Sequence, residues 1–148
     1  MNACSPRMRA ASAYQNAARA EHPARQIALL YDIAIRQLHE ARTAITEQRI
    51  EDRCRFVLKA FEILQALQSC LDFELGGTIA PMLCRYYGSA MNRLLQINQK
   101  NDSALCDEII AYLTSMRESW ARIADGAAAG PPAGSARPDE TAPASLTA

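Results

Sequence analysis

Apolar residues recur in alternating steps of four and three along four separate stretches between residues 23 and 124. Since an α-helix has 3.6 residues per turn, this spacing places them on one side of a helix. The first stretch shows it most clearly: Ile27, Tyr31, Ala34, Leu38, Ala41 and Ile45. Glycine is scarce, with 6 in 148 residues, and no segment alternates as a strand would. The pattern predicts an all-α protein.

The four predicted helices run from about 23 to 47, 50 to 73, 78 to 97 and 102 to 124. Pro23 suits a first helical turn, Thr78 is a possible cap, and Asp102 or Ser103 can cap the last helix. Short connections force neighbouring helices to run antiparallel, which predicts an up-and-down four-helix bundle. The predicted inward residues of the later helices are Cys54, Val57, Phe61, Leu64 and Leu71, then Ile79, Leu83, Tyr86, Ala90 and Ile97, then Leu105, Ile109, Tyr112, Met116, Trp120 and Ile123.

Composition divides the chain into three parts. Residues 1–22 carry few large apolar groups, chiefly Met8 and Tyr14, and are expected to pack weakly on the bundle. Residues 23–124 form the bundle domain. Residues 125–148 are rich in Ala, Gly, Pro and Ser, which predicts a disordered tail.

Charge and hydropathy exclude several classes of protein. The chain has 16 basic and 16 acidic residues, and the basic ones form no stripe, so nucleic-acid binding is not expected. No apolar run approaches the length of a bilayer span, and the N-terminus lacks the apolar core of a secretory signal. These features favour a cytosolic protein. The five cysteines include no Cys-x-x-Cys pair, so a disulfide framework is not expected. Cys54, Cys70, Cys84 and Cys106 fall within helical patterns and are interpreted as small packing residues.

The sequence contains no recognisable catalytic, metal-binding or phosphate-binding pattern. The two histidines, His22 and His39, belong to no Glu-x-x-His or His-x-x-x-His pattern. Gly76 and Gly77 lack the Lys of a phosphate-binding loop. We therefore predict no enzyme activity, no metal and no cofactor.

The two middle helices carry a second apolar stripe about 100° from the first. Its members are Phe56, Ala60, Ile63, Leu67 and Cys70 on the second helix, and Cys84, Tyr87, Met91 and Leu95 on the third. One interpretation is a wide core stripe. A second is a groove for an amphipathic partner helix, for which Met82 and Met91 supply an adaptable surface. A third is a homodimer interface.

Several landmarks, in order, resemble the FliS family of flagellin chaperones. They are Ala13–Tyr14–Gln15, then LLYDIAI from residue 29 to 35, then LDFELGGTIAPML from 71 to 83. Tyr86, Tyr87, Arg93 and Leu94 follow, then Asn101–Asp102 and MRESWARI from 116 to 123. Ile33 replaces a common Gly of the family, and Pro81–Met82 replaces a polar pair. The resemblance spans about residues 13–124.

The resemblance implies a cytosolic export chaperone. Such proteins bind the disordered C-terminal segment of flagellin, block its premature polymerisation and deliver it to the flagellar type III export gate. Tyr14 and Gln15 match an N-terminal helical lid over the binding groove. The predicted groove comprises Phe56, Ile63, Leu67, Leu71, Ile79, Leu83, Tyr86, Tyr87, Met91, Leu94 and Leu95. The alternative is a divergent, self-associating bundle with a regulatory or structural role and no flagellin partner.

Overall fold

A computed structural model describes residues 22–128 as four α-helices: α1 (Pro23–Thr46), α2 (Ile50–Ser69), α3 (Ile79–Lys100) and α4 (Ser103–Ala128). No strand occurs within this range. Each helix packs against its neighbours in the chain, and α1 also packs against α4, which closes a ring of four. The predicted all-α, up-and-down four-helix bundle is therefore confirmed. Tyr14, Gln15 and the residues beyond 128 lie outside the described part.

Three ion pairs join α1 to α4 and show how the two helices align. They are Arg25–Asp125 (3.0 Å), Asp32–Arg117 (2.9 Å) and Arg42–Asp107 (3.0 Å). As residue numbers rise along α1 they fall along α4, so these helices are antiparallel. We call this interface the α1–α4 seam.

The core follows the inward stripe predicted for α1. Tyr31, Ala34, Leu38, Ala41 and Ile45 are all buried, together with the smaller residues Ala24, Ala28 and Ala44. Alanine at so many inward positions lets the neighbouring helices approach α1 closely, because interhelical distance depends on the side chains at the contact. The first helix is therefore the centre of the packing.

At its start α3 buries a different face from the one predicted, whereas Ala90 and Ile97 further along are buried as predicted. Ile79, predicted to face the core, is 62% exposed, while Ala80 next to it is buried. Further along α3 the buried residues include Tyr87, Met91 and Leu94. Ile123 on α4 was also predicted inward and is exposed. A helical pattern gives the width of an apolar stripe, but the packing of neighbouring helices decides which part of it is covered.

Helix ends are fixed by side chains and by turn geometry. Pro23 occupies the first turn of α1, where the Nδ1 atom of His22 accepts a hydrogen bond from the backbone N–H of Ala24 (3.1 Å). Asp102 caps α4 as predicted, since its Oδ1 atom accepts hydrogen bonds from the backbone N–H groups of Ala104 and Leu105 (2.9 and 3.2 Å).

Several predicted helix boundaries and one predicted cap were wrong; α3 ends at Lys100 rather than at 97, and α4 at Ala128 rather than at 124. The α2 helix ends at Ser69, four residues before the predicted end at Phe73. Thr78 makes no side-chain capping bond at the start of α3. Instead, the Gly76 carbonyl accepts hydrogen bonds from the N–H groups of Ile79 (3.0 Å) and Ala80 (3.4 Å). The connection from α2 to α3 is therefore longer and more structured than the sequence predicted.

Candidate protein-binding surface

The α2–α3 loop is held in one shape by the LDFELGG motif. The Oδ1 atom of Asp72 accepts hydrogen bonds from the backbone N–H groups of Glu74 and Leu75, both at 2.9 Å. The Asp72 carbonyl accepts a third from Gly76 N–H (2.8 Å). A Cβ atom on Gly76 would lie 2.5 Å from that carbonyl oxygen, and Gly77 has a φ of +51°. Gly76 is therefore required because a Cβ atom has no room there, and Gly77 is favoured by its positive φ.

This ordered loop presents apolar side chains to solvent. Phe73 and Leu75 are exposed, Leu75 at 89%, and Ile79 and Met82 continue the exposed series on the first turns of α3. Large exposed apolar residues scattered singly are ordinary, but a cluster on one ordered segment marks an interaction site. The loop therefore forms an apolar edge at one end of the bundle.

A groove between α3 and α4 continues from this edge, and we call it the α3–α4 groove. Its lining is largely apolar and comprises Ile79, Met82, Leu83, Arg85, Tyr86, Tyr112 and Met116. The rings of Tyr86 and Tyr112 stack with their centroids 4.3 Å apart, and the Tyr86 hydroxyl donates a hydrogen bond to the Tyr112 carbonyl (2.9 Å). Two stacked rings separate the helices, which leaves room for another side chain.

The tyrosine side chains in and behind the groove are uncharged. Burial raises the pKa of Tyr86, Tyr87 and Tyr112 above the ordinary tyrosine value. The phenols therefore stay neutral at physiological pH. Further along, Arg93 pairs with Glu108 (2.7 Å) and its guanidinium lies 5.8 Å from the Tyr112 ring centroid. That pair marks the polar boundary of the groove.

The structure separates the predicted groove residues into three sets. Ile79, Leu83 and Tyr86 meet in the α3–α4 groove. The residues buried in the core are Leu67, Tyr87, Met91 and Leu94. The remaining ones, on α2, its following loop and the outer side of α3, are half-buried or exposed: Phe56, Ile63, Leu71 and Leu95. Of the three interpretations of the second stripes, a wide core stripe fits Ala60, Leu67, Tyr87 and Met91.

Sequence reasoning missed the α4 side of the groove. Tyr112 and Met116 were assigned to the core, yet both are half-buried and line the groove. Their spacing of four is the same for a core residue and for a groove residue, so periodicity alone does not distinguish them. Residue size does not distinguish them either, since the equally bulky Tyr31 and Tyr87 are buried in the core.

Two further side-chain predictions have clear outcomes. Gln68 falls between the inward residues Leu64 and Leu71 of the predicted second helix, where a polar residue interrupts the apolar stripe. Its Nε2 atom donates a hydrogen bond to the Cys84 carbonyl on α3 (3.0 Å). Of the cysteines in residues 22–128, all free, Cys106 is buried and Cys54 and Cys84 are half-buried, as packing residues would be. Cys70 is exposed, so that assignment was wrong, because the early end of α2 places it in a turn.

Outside the groove, α1 carries a second apolar patch. It comprises Leu29, Ile33 and Ile35, bordered by Asp32, Arg36 and His39. In the described range, no three His, Cys, Asp or Glu side chains converge as a metal site would require. No helix of that same range has the length and hydropathy to cross a bilayer.

A ring of four helices with an apolar groove and an ordered apolar edge defines a helical-bundle protein with a candidate protein-binding surface. Comparison with known proteins agrees: the family described as flagellar protein FliS matches residues 7–127. The chain belongs to the FliS family of flagellar secretion chaperones.

Individual relatives support this assignment over most of their length. The flagellar secretion chaperone FliSB of Pseudomonas aeruginosa is 34% identical over 99 residues, 67% of this chain and 79% of the relative. FliS of Campylobacter jejuni is 32% identical over 109 residues, covering 74% and 85%. FliS of Vibrio cholerae is 31% identical over 104 residues, covering 70% and 76%. All three relatives are named as flagellar secretion chaperones.

Proposed function

We propose that this chain is a cytosolic export chaperone that binds the C-terminal segment of flagellin along the α3–α4 groove. Binding there keeps the segment from polymerising early, and the complex is then delivered to the flagellar type III export gate. The observation that carries the proposal is the continuity of the apolar edge with the groove. Together they offer anchors at Leu75, Ile79, Met82 and Met116 to an amphipathic helix.

The chemistry of the surface suits a client that folds on binding. Such a client offsets its ordering cost by burying apolar area, so it needs a long apolar track rather than one deep pocket. Met82 and Met116 have unbranched, polarizable side chains that adapt to differently shaped partners. The accessible members of the predicted groove, Ile79, Leu83 and Tyr86, are proposed to make direct contact. The buried members hold the groove floor in place.

Calorimetric titration with the C-terminal flagellin segment from the same cell tests the proposal. We expect one-to-one binding with a negative heat-capacity change, since apolar area is buried. Ile79 and Ile50 provide a matched pair, because each is 62% exposed, while Ile50 begins α2 at the opposite end of the bundle. Ile79→Ser should weaken binding by about tenfold as an interface anchor. Ile50→Ser should leave the affinity unchanged.

The competing function is self-association through the same apolar surface. Light scattering on the free protein separates the two. A monomer that binds the segment supports the chaperone. A stable dimer that Ile79→Ser dissociates, with no heat of binding to the segment, would show that the groove is instead a subunit interface.

A further inference from the structure

One charged side chain, that of Arg85, stands in the otherwise apolar and aromatic lining of the α3–α4 groove. Arg85 lies on α3 between the groove residues Met82 and Tyr86, and it is exposed to solvent. None of the described residues that line the groove is acidic. A polypeptide that binds along this lining therefore meets an uncompensated positive charge.

Arg85 differs in this respect from most other arginines of residues 22–128. Those that form ion pairs with carboxylates are Arg25, Arg42, Arg49, Arg55, Arg93 and Arg117. Arg53 and Arg122 donate hydrogen bonds to uncharged side chains. Within the same range Arg36 and Arg85 have neither kind of partner, and of these two only Arg85 lines the groove.

The chemistry of a guanidinium selects the group that would bind it. Its N–H donors form a planar fork that matches the two oxygens of a carboxylate, and such charge-assisted hydrogen bonds are stronger than neutral ones. The Glu108 carboxylate, at the polar boundary of the groove, is already paired with Arg93 (2.7 Å). A client helix lying on the apolar lining would exclude water from one side of Arg85, which strengthens an ion pair there.

We propose that the bound flagellin segment places the carboxylate of an Asp or Glu side chain on Arg85. This inference rests on the proposed function and names a residue type that the client must carry. Arg85 follows Met82 by three residues, which is about 4.5 Å along the axis of α3. The acidic residue should therefore lie three or four positions from the client residue that packs on Met82. A client helix shifted by one turn loses the pair, so Arg85 sets the register of binding.

Removing and reversing the charge of Arg85 tests the inference. Arg85→Met keeps a long apolar side chain and should weaken binding of the flagellin segment about 2- to 5-fold, as expected for the loss of an exposed ion pair. Arg85→Glu should weaken binding about 10-fold and slow association, because like charges then face each other. Since Arg85 is exposed, neither variant should shift the urea midpoint of the free protein.

Arg36→Glu is the matched control. Arg36 is also exposed, and it lies on α1 at the border of the second apolar patch, outside the α3–α4 groove. Its reversal changes the net charge of the chaperone by the same amount as Arg85→Glu, so it reproduces any effect of overall charge on association. The affinity of Arg36→Glu should equal that of the wild type. An equal loss in Arg36→Glu and Arg85→Glu would show that net charge is responsible, and the inference would be wrong.

The client residue is then identified by exchanging the two charges. Each Asp and Glu of the flagellin segment is replaced in turn with Arg, and one replacement should weaken binding to the wild type but restore binding to Arg85→Glu. If only amidation of the C-terminal carboxylate of the segment removes the dependence on Arg85, the assignment to a side chain is wrong. If the wild type binds and neither Arg85 variant changes affinity, the inference is wrong while the proposed function stands. If the wild type does not bind, both are wrong.

Discussion

The two sides of α4 differ in how they are closed. Toward α1, inward alanines such as Ala28 and Ala124 let the helices approach closely, and three ion pairs cross the α1–α4 seam. Toward α3, Tyr86 and Tyr112 stack between the helices and leave an apolar groove. The comparison teaches that side-chain size at an interface decides whether a helix pair becomes core or binding surface.

The largest expected contrast is between a core leucine and a groove methionine. Leu38→Ala on α1 should lower the free energy of unfolding by about 2–5 kcal/mol, because it opens a cavity at a fully buried site. Met82→Ala, at a 61% exposed site, should change it by less than about 0.5 kcal/mol. Urea unfolding measures both. The order should be reversed for flagellin binding. Met82→Ala should weaken the affinity more than Leu38→Ala does, provided that the Leu38 variant remains folded.

The next largest effects on stability are expected from substitutions in the α2–α3 loop, which supports the apolar edge. Gly76→Ala should cost about 1–3 kcal/mol, because its Cβ would meet the Asp72 carbonyl at 2.5 Å and the Ala80 Cβ at 2.8 Å. Gly77→Ala meets nothing within 4 Å and should cost only about 1 kcal/mol for its positive φ. Thermal unfolding of the two variants checks the order. Equal losses would mean that the crowding at Gly76 relaxes freely.

Alkaline pH should lower the stability of the bundle through Cys106, which is buried near the start of α4. Burial raises the pKa of its thiol from 9.0 to about 11. Between these values the unfolded chain releases a proton that the folded chain keeps, so stability is complete below pH 9 and falls as pH rises toward 11. Between pH 8 and pH 10 the free energy of unfolding of the wild type should fall by about 1 kcal/mol more than that of Cys106→Ala. If urea unfolding shows that the free energy of unfolding depends on pH in the same way for both proteins, the prediction is wrong.

The smallest expected effect comes from the ion pairs of the α1–α4 seam. Arg117 donates two hydrogen bonds to Asp32, at 2.9 and 3.1 Å, but both side chains are more than a third exposed. A double-mutant cycle with Asp32→Asn and Arg117→Gln should give a coupling of about 0.2–1 kcal/mol that decreases with added salt. A larger coupling would mean that charge, rather than packing of small residues, holds this seam together.

The sequence allowed most of the fold to be predicted, for a physical reason. Apolar residues spaced alternately by four and three fit one side of an α-helix and do not fit a strand. Pro23 in a first turn and Asp102 as a cap predicted two helix starts correctly. The end of α2 was missed because the Asp72 side chain captures backbone N–H groups, which periodicity does not record. The repeat therefore predicts helices better than it predicts the loops between them.

The candidate site was predicted less well than the fold. Exposure of Ile79 and burial of Tyr87 depend on how α3 is rotated between α2 and α4, which is a property of the whole ring. Arg53 illustrates the same limit: it is 7% exposed and donates a hydrogen bond to Asn101 in the α3–α4 connection, although its sequence position reads as a solvated charge. Such placements follow from contacts between distant parts of the chain.

The closing of the ring by α1 and α4 has a consequence for synthesis. Arg25 and Asp125 are 100 residues apart, so the interface between the first and last helices forms only after nearly the whole domain has left the ribosome. Until then the alanine-rich side of α1 has no partner, and the growing chain exposes more apolar area than the finished protein. Completion of α4 is therefore expected to be the step that commits the domain to its native state, since contacts between distant residues form last and most slowly.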